Sequence, residues 1–161
     1  MAPRLAFCLL IALHLAVAPV AARAAHLRVI DGDTLEIDGR RFRLLGIDAP
    51  ERAQICTRAG LAWGCGQAAA ALRAKIGDGA VLCAGEDRDS YGRIVAVCTL
   101  EYDIDLNGWM VECGWAMAYR RYSKTYVAAE ERAEAAGKGI WAAALSPPWK
   151  GRATQRYAAH P

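Results

Sequence analysis

Residues 27–47, LRVIDGDTLEIDGRRFRLLGI, decide the fold. Leu27 and Val29 alternate with polar neighbours, Thr34 to Asp38 alternates again, and Arg41-Phe42-Arg43-Leu44 follows a turn at Gly39. A period of two puts apolar side chains on one face of a sheet and polar ones on the other. The stretch reads as a β-meander. Asp48-Ala49-Pro50-Glu51 ends its third strand, because proline cannot donate to a ladder and biases the preceding residue toward extended backbone.

Working outward, Gln67 to Ile76 is Ala-rich, carries Leu72 and Ile76 one turn apart, and stops at Gly77-Asp78-Gly79, which predicts a helix. Ala80 to Cys83 and Arg93 to Cys98 are two more strands across the polar turn Glu86 to Gly92. Asp105 is placed to cap a second helix through Glu112, stopped at Gly114, that buries Leu106, Trp109, Met110 and Cys113. A third helix is expected from Ser123 or Thr125 to Ala136, ended by Gly137, with Glu130, Glu131, Arg132 and Glu134 on its wet face. Five strands and three helices give an α+β domain over 27–145, followed by a Pro-containing basic tail over 146–161.

The chain has 161 residues, 55% hydrophobic and 23% charged, enough for one domain with a sizeable core. Disordered, collagenous and coiled-coil classes are excluded by that balance. Residues 1–25 are read separately: Arg4, an apolar run from Leu5 to Val20, then Ala-rich residues, the pattern of a secretory signal peptide. Cleavage between Ala22 and Ala25 is expected, with export to a periplasm or the medium and no stable membrane association afterwards. A retained anchor is the competing reading, and the run is short for a span of about 20 residues. The total of +3 hides an acidic stretch before Tyr119 and a basic one after it.

Past the leader stand Cys56, Cys65, Cys83, Cys98 and Cys113, an odd number. Composition does not choose among the pairings this allows. Proximity along the chain favours Cys56 with Cys65, bracketing the loop Thr57 to Gly64, and Cys83 with Cys98 across a turn, leaving Cys113 over. A metal site would need CxxC spacing or histidine partners, and neither is present. The three histidines, His14, His26 and His160, fall in the leader or at the ends of the mature chain, which disfavours Ser-His and Cys-His hydrolysis.

Carboxylates and guanidiniums remain, and they are concentrated in Asp31-Gly32-Asp33-Thr34, in Arg43 with Asp48 and Glu51, and in Ser90-Tyr91-Gly92-Arg93. Asp33 and Asp48 are hard oxygen donors suited to Ca²⁺ or Mg²⁺. Two arginines suit a phosphodiester whose charge grows in the transition state. Glu51, three residues after Asp48, is placed to orient or deprotonate water. Taken singly, each motif reads equally as a turn, a surface ion pair or hairpin chemistry.

Taken together, VIDGDT at 29–34, FRLLGIDAPE at 42–51 and YGR at 91–93 resemble, in order and spacing, the thermonuclease (staphylococcal nuclease-like) family. The resemblance runs from about Leu27 to Trp141 and includes Gly114-Trp115-Ala116 and Gly139-Ile140-Trp141. It implies an OB-fold five-stranded β-barrel with three α-helices that cleaves DNA and RNA with Ca²⁺. By position it implies Asp33, Asp48 and the carbonyl of Ala49 as metal ligands, Arg43 and Arg93 on the phosphate, and Glu51 serving the water. Tyr91, with Tyr119 or Tyr122, would line the nucleotide pocket and stack on bases. Three departures stand out: Ala49 where the family has threonine, Ser90 where its best-known member has lysine, and the Cys56–Cys65 segment in place of a lysine-rich loop. A non-catalytic OB module binding nucleic acid or oligosaccharide is the alternative. It leaves unexplained why Asp33, Arg43, Asp48, Glu51 and Arg93 are all competent residues.

Overall fold

A computed structural model of the chain describes residues 26–51, 55–58, 61–64 and 66–142. The expected leader, the tail over 146–161 and the Cys56–Cys65 pairing lie outside the described residues. Strands β1 (Leu27–Asp31), β2 (Thr34–Ile37) and β3 (Arg40–Leu44) form the meander that alternation predicts. Val29 faces Leu35, and Leu35 faces Phe42, so one face of the meander is buried. Asp38 and Gly39 both have positive φ, 49° and 77°, the two-residue turn whose twist matches its flanking strands.

After Leu44 the chain leaves the meander through Gly46, at φ 74°, and enters β4 (Ile47–Asp48). Next come a hairpin of β5 (Ile55–Arg58) and β6 (Leu61–Gly64), then helix α1 (Ala68–Ile76). The hairpin corrects the loop expected between the two cysteines: Cys56 and Trp63 pair in register, as do Thr57 and Ala62. β7 (Val81–Ala84) and β8 (Ile94–Leu100) follow, and β8 buries Ile94, Ala96, Cys98 and Leu100 at a strict period of two. Cys83 and Cys98 face each other across this antiparallel pair and are bonded, with sulfurs 1.99 Å apart.

β9 (Ile104–Asp105), α2 (Leu106–Glu112), β10 (Met117–Ala118), α3 (Val127–Ala135) and a 3-10 turn (Gly139–Ala142) complete the order. The strands assemble as a mixed sheet in the order β1-β2-β3-β8-β7, with β9 on β8 and with β3 and β8 parallel. This corrects the closed five-stranded barrel: among the described residues the sheet is open and six-stranded. β4 turns away to pair with β10, and beside β1 stands α1, whose Arg73 donates to the carbonyl of Val29 at 3.1 Å. The class stays α+β, with an OB-like mixed sheet and three helices.

The helices form for the local reasons anticipated, with one shift. Asp105 Oδ1 accepts from the Gly108 amide at 3.0 Å, the N-cap of α2. α3 starts only at Val127, because the Ser123 hydroxyl accepts from the Thr125 amide (3.2 Å) and bonds the Thr125 hydroxyl (2.9 Å), a local turn that competes with helix. Tyr126 then donates its hydroxyl to Asp105 Oδ2 at 2.9 Å and ties the start of α3 to the start of α2. Burial and that bond to Asp105 push the Tyr126 phenol well above its ordinary range.

Leu35, Leu44, Ile47, Leu72, Leu106, Met110, Val111 and Ile140 are fully buried between sheet and helices. Each contributes about 1.5–3 kcal/mol through the apolar area it removes from water. Asn107 and Glu130 are polar residues buried beside them. Asn107 accepts from the Cys98 amide (3.1 Å) and donates to the carbonyls of Leu45 (3.0 Å) and Ala96 (3.1 Å), so α2 is bolted to β8 and to the exit of β3. Glu130, assigned to a wet helix face by sequence, is 5% exposed: it accepts from the Ala118 amide (2.8 Å) and from Arg120 (2.6 Å) and so fixes β10. Cys113 is a half-buried free thiol, and burial pushes its pKa up. The Gly114 carbonyl accepts from the Ile140 amide at 2.9 Å, and a Cβ on Gly114 would stand 2.3 Å from the Lys138 carbonyl. Among the described residues no helix is long and apolar enough to cross a membrane.

Candidate active site

The turn between β1 and β2 carries the first group of site residues. Gly32 is required there by space: a Cβ would lie 2.6 Å from the Cβ of Ala68 and 2.7 Å from that of Ala49. Its absence lets the start of α1 and the segment after β4 close on the turn. Asp33 is thereby buried with defined partners: Oδ2 accepts from the Ala49 amide at 3.0 Å and Oδ1 from the Thr34 hydroxyl at 3.1 Å.

Arg43 enters from β3, opposite Thr34 on β2. Its Nη1 is 2.8 Å from Asp33 Oδ2 and its Nη2 is 2.7 Å from Asp48 Oδ1, so one guanidinium bridges two buried carboxylates. Such burial is expensive unless every charge is paired and hydrogen-bonded. Asp48 reaches this position only because β4 pairs with β10, with Asp48 opposite Met117.

Arg93 arrives from the turn before β8. Its Nε donates to Asp89 Oδ2 at 2.7 Å and its Nη1 to Thr34 Oγ1 at 3.1 Å. Thr34 in turn donates to Asp33, so the two arginines are joined through a short run of side chains from Arg93 by way of Thr34 and Asp33 to Arg43. Burial works to raise the Asp89 carboxyl, but it is outweighed by hydrogen bonds from the Arg93 side chain, the Arg93 amide and the Tyr91 amide, which hold the group below the ordinary carboxylate range.

Asp31 belongs to the same cluster, although sequence treated it as part of a turn. Burial, then the charge of Asp33, then a hydrogen bond and charge from Glu51 push its carboxyl up to about 7. The Asp31-Gly32-Asp33 spacing was the available signal: with the glycine in a tight turn, two carboxyls one residue apart converge. Glu51 is half-buried and hydrogen-bonded to Asp31.

Among the tyrosines, Tyr91 is 73% exposed with the Arg93 guanidinium 5.3 Å from its ring centre. Tyr119 and Tyr122 meet edge to face at 4.9 Å, and the Tyr119 amide donates to the Gly46 carbonyl at 2.8 Å, beside β4. Asp33, Asp48 and the Ala49 carbonyl are hard oxygens of the type a calcium ion takes. Among the described residues no three carboxylate, histidine or cysteine side chains are arranged as a closed metal cluster; Asp33 and Asp48 grip Arg43 instead.

An OB-like mixed sheet thus carries two arginines linked through Thr34 and Asp33, with Asp31, Asp48 and Glu51 close by in the chain. The model for the family described as staphylococcal nuclease homologue matches residues 41–143. The chain belongs to the staphylococcal nuclease family. It is 40% identical over 119 residues to the succinoglycan biosynthesis protein ExoI of Rhizobium meliloti, covering 71% of this chain and 62% of that protein. It is 33% identical over 129 residues to an uncharacterized endonuclease of Escherichia coli, covering 76% of this chain and 79% of the relative. A Haemophilus influenzae uncharacterized endonuclease is 33% identical over 122 residues, covering 71% of this chain and 64% of the relative. The chain thus spans less than two thirds of the length of ExoI and of the Haemophilus protein.

Proposed function

We propose that this protein is an exported, calcium-dependent endonuclease of the thermonuclease type that hydrolyses phosphodiester bonds of DNA and RNA. The observation that carries the reading is the linked pair of arginines: Arg43 held by Asp33 and Asp48, Arg93 held by Asp89 and Thr34. Family membership and relatives named as endonucleases support it. Arg43 and Arg93 bind the phosphate and stabilise its growing charge; Arg93 is oriented beforehand by Asp89 and Thr34, whereas Arg43 passes from Asp33 and Asp48 to the phosphate when those carboxylates take the metal. Glu51 orients and deprotonates the attacking water, while Asp31 shares a hydrogen bond with it. Asp33, Asp48 and the Ala49 carbonyl would hold Ca²⁺, which when bound supplies Lewis-acid stabilisation and a more acidic water. Tyr91, Tyr119 and Tyr122 stack on nucleotide bases.

Cleavage of single-stranded DNA and RNA by the purified protein, with Ca²⁺ and with chelator, and beside Glu51→Gln, tests this. Metal-dependent cutting that Glu51→Gln lowers by orders of magnitude is expected; no cutting by the wild type overturns it. Export after cleavage between Ala22 and Ala25 is checked by N-terminal sequencing of the protein outside the cytoplasm. A saccharide-binding module is the second reading, favoured by the name of the ExoI relative; it predicts oligosaccharide binding without cutting.

A further inference from the structure

We infer that the concavity beside Tyr91 is a second phosphate subsite. On the nuclease reading above, Arg40, Arg41 and Arg88 there hold the backbone of a single-stranded nucleic acid at a phosphate flanking the one bound by Arg43 and Arg93. The concavity has a volume of about 320 Å³ and is lined by Arg40, Arg41, Arg88, Tyr91, Gly92 and Arg93. Two turns build it. The Asp38-Gly39 turn delivers Arg40 and Arg41 at the start of β3, and the turn before β8 delivers Arg88, bridged to Ile94. Parallel pairing of Phe42 with Ile94 sets the two turns side by side.

Charge balance points to an anion. Arg93 is paired with Asp89 and Arg41 with Glu36. Arg40 and Arg88 have no carboxylate partner among the described residues. The Arg40 guanidinium lies 5.6 Å from the Phe42 ring centre, and Arg88 spends one donor on the Gly92 carbonyl at 2.6 Å. Each guanidinium carries five N–H donors in a planar fork matched to phosphate, so most of the donor capacity of both remains open. Two unpaired cations converging on one open concavity repel each other, and a polyanion relieves that repulsion. Arg93 lines the concavity and also donates to Thr34 in the catalytic run, which makes the two sites continuous. The exposed Tyr91 ring lines the concavity with the Arg93 guanidinium over it, and the rest of the ring is open to a base, which favours a nucleic-acid strand over a bare polyphosphate.

The test is equilibrium binding of a fluorescent 20-nucleotide single strand to the full chain in chelator, over a series of NaCl concentrations, for wild type, Arg40→Ala/Arg88→Ala and Arg40→Lys/Arg88→Lys. The alanine pair is expected to weaken binding roughly tenfold and to reduce the slope of log affinity against log salt by about 0.7, the contribution of one single-strand phosphate contact. The lysine pair keeps the slope because it keeps the charge, which separates lost contacts from a disturbed turn. An unchanged slope in the alanine pair overturns the subsite. Equal displacement of the strand by polyphosphate, charge for charge, overturns the assignment to nucleic acid. Failure of the nuclease reading looks different: the wild type would bind with the full slope and not cut in Ca²⁺. Cutting with no slope change in the alanine pair removes the subsite alone.

Discussion

Thr34 and Arg93, 59 residues apart, are joined by a hydrogen bond of 3.1 Å from Nη1 to Oγ1. The same hydroxyl donates to Asp33, whose other oxygen meets Arg43. On the proposed function, Thr34 is therefore a positioning residue between the two arginines assigned to the phosphate. Thr34→Val keeps shape and removes the link. It is expected to lower kcat about tenfold with a smaller change in KM, whereas Arg93→Ala, which removes a charge donor itself, should cost about 10²–10³ in kcat. Steady-state kinetics on a short single strand, with Thr34→Ser as rescue, check the distinction.

Asp89 gives the turn before β8 a pH dependence whose sign follows from its lowered pKa. Its folded-state carboxyl ionises below the ordinary range, so its contribution to stability is fully present above the unfolded pKa and is lost as pH falls through the folded one. Thermal melts taken downward from pH 6 should fall more steeply for wild type than for Asp89→Asn, and the two curves should converge at the acid end. Curves of equal slope would mean that the Arg93 and amide contacts do not favour the ionised form.

Asn107 is the polar residue on which the helix–sheet joint depends. Asn107→Ala leaves the Cys98 amide and the Leu45 carbonyl without the Asn107 partner, while the Ala96 carbonyl still accepts from the Leu45 amide at 2.8 Å. An unsatisfied buried group costs about 1–3 kcal/mol, so urea unfolding is expected to give a loss of about 2 kcal/mol or more.

The Cys83–Cys98 bond closes a sequence separation of 15 residues. On a chain-entropy basis its removal costs about 3 kcal/mol. Cys83→Ser/Cys98→Ser should therefore unfold at clearly lower urea and keep its specific activity below the new transition, because neither cysteine touches the arginine run.

Gly32→Ala tests the spatial demand at the meander turn. The new methyl meets the Cβ atoms of Ala68 and Ala49, so a destabilisation of about 1–3 kcal/mol is expected, with Ala49 displaced and activity reduced beyond the stability loss. Paired unfolding and kinetic measurements separate the two effects.

What sequence by itself determined was local. Alternation over 27–44 placed the meander because side-chain direction in a strand has a period of two. Asp105 and the glycines 77, 114 and 137 placed helix ends because caps are satisfied by nearby residues. The ordered motifs at 29–34, 42–51 and 91–93 named the family. Tertiary structure decided whatever depends on partners distant in sequence. The parallel pairing of β3 with β8 and the short ladder of β4 with β10 leave the described sheet open, and no two-residue period announces a strand as short as Ile47–Asp48. Glu130 reads as a surface charge on its own helix and becomes a buried anchor only because the Ala118 amide and Arg120 come to meet it. Asp31 reads as a turn residue until Asp33 and Glu51 crowd it. Burial and electrostatics are sums over neighbours in space, and the chain order of residues 31, 34, 43, 48, 51 and 93 contains those neighbours without saying that they touch.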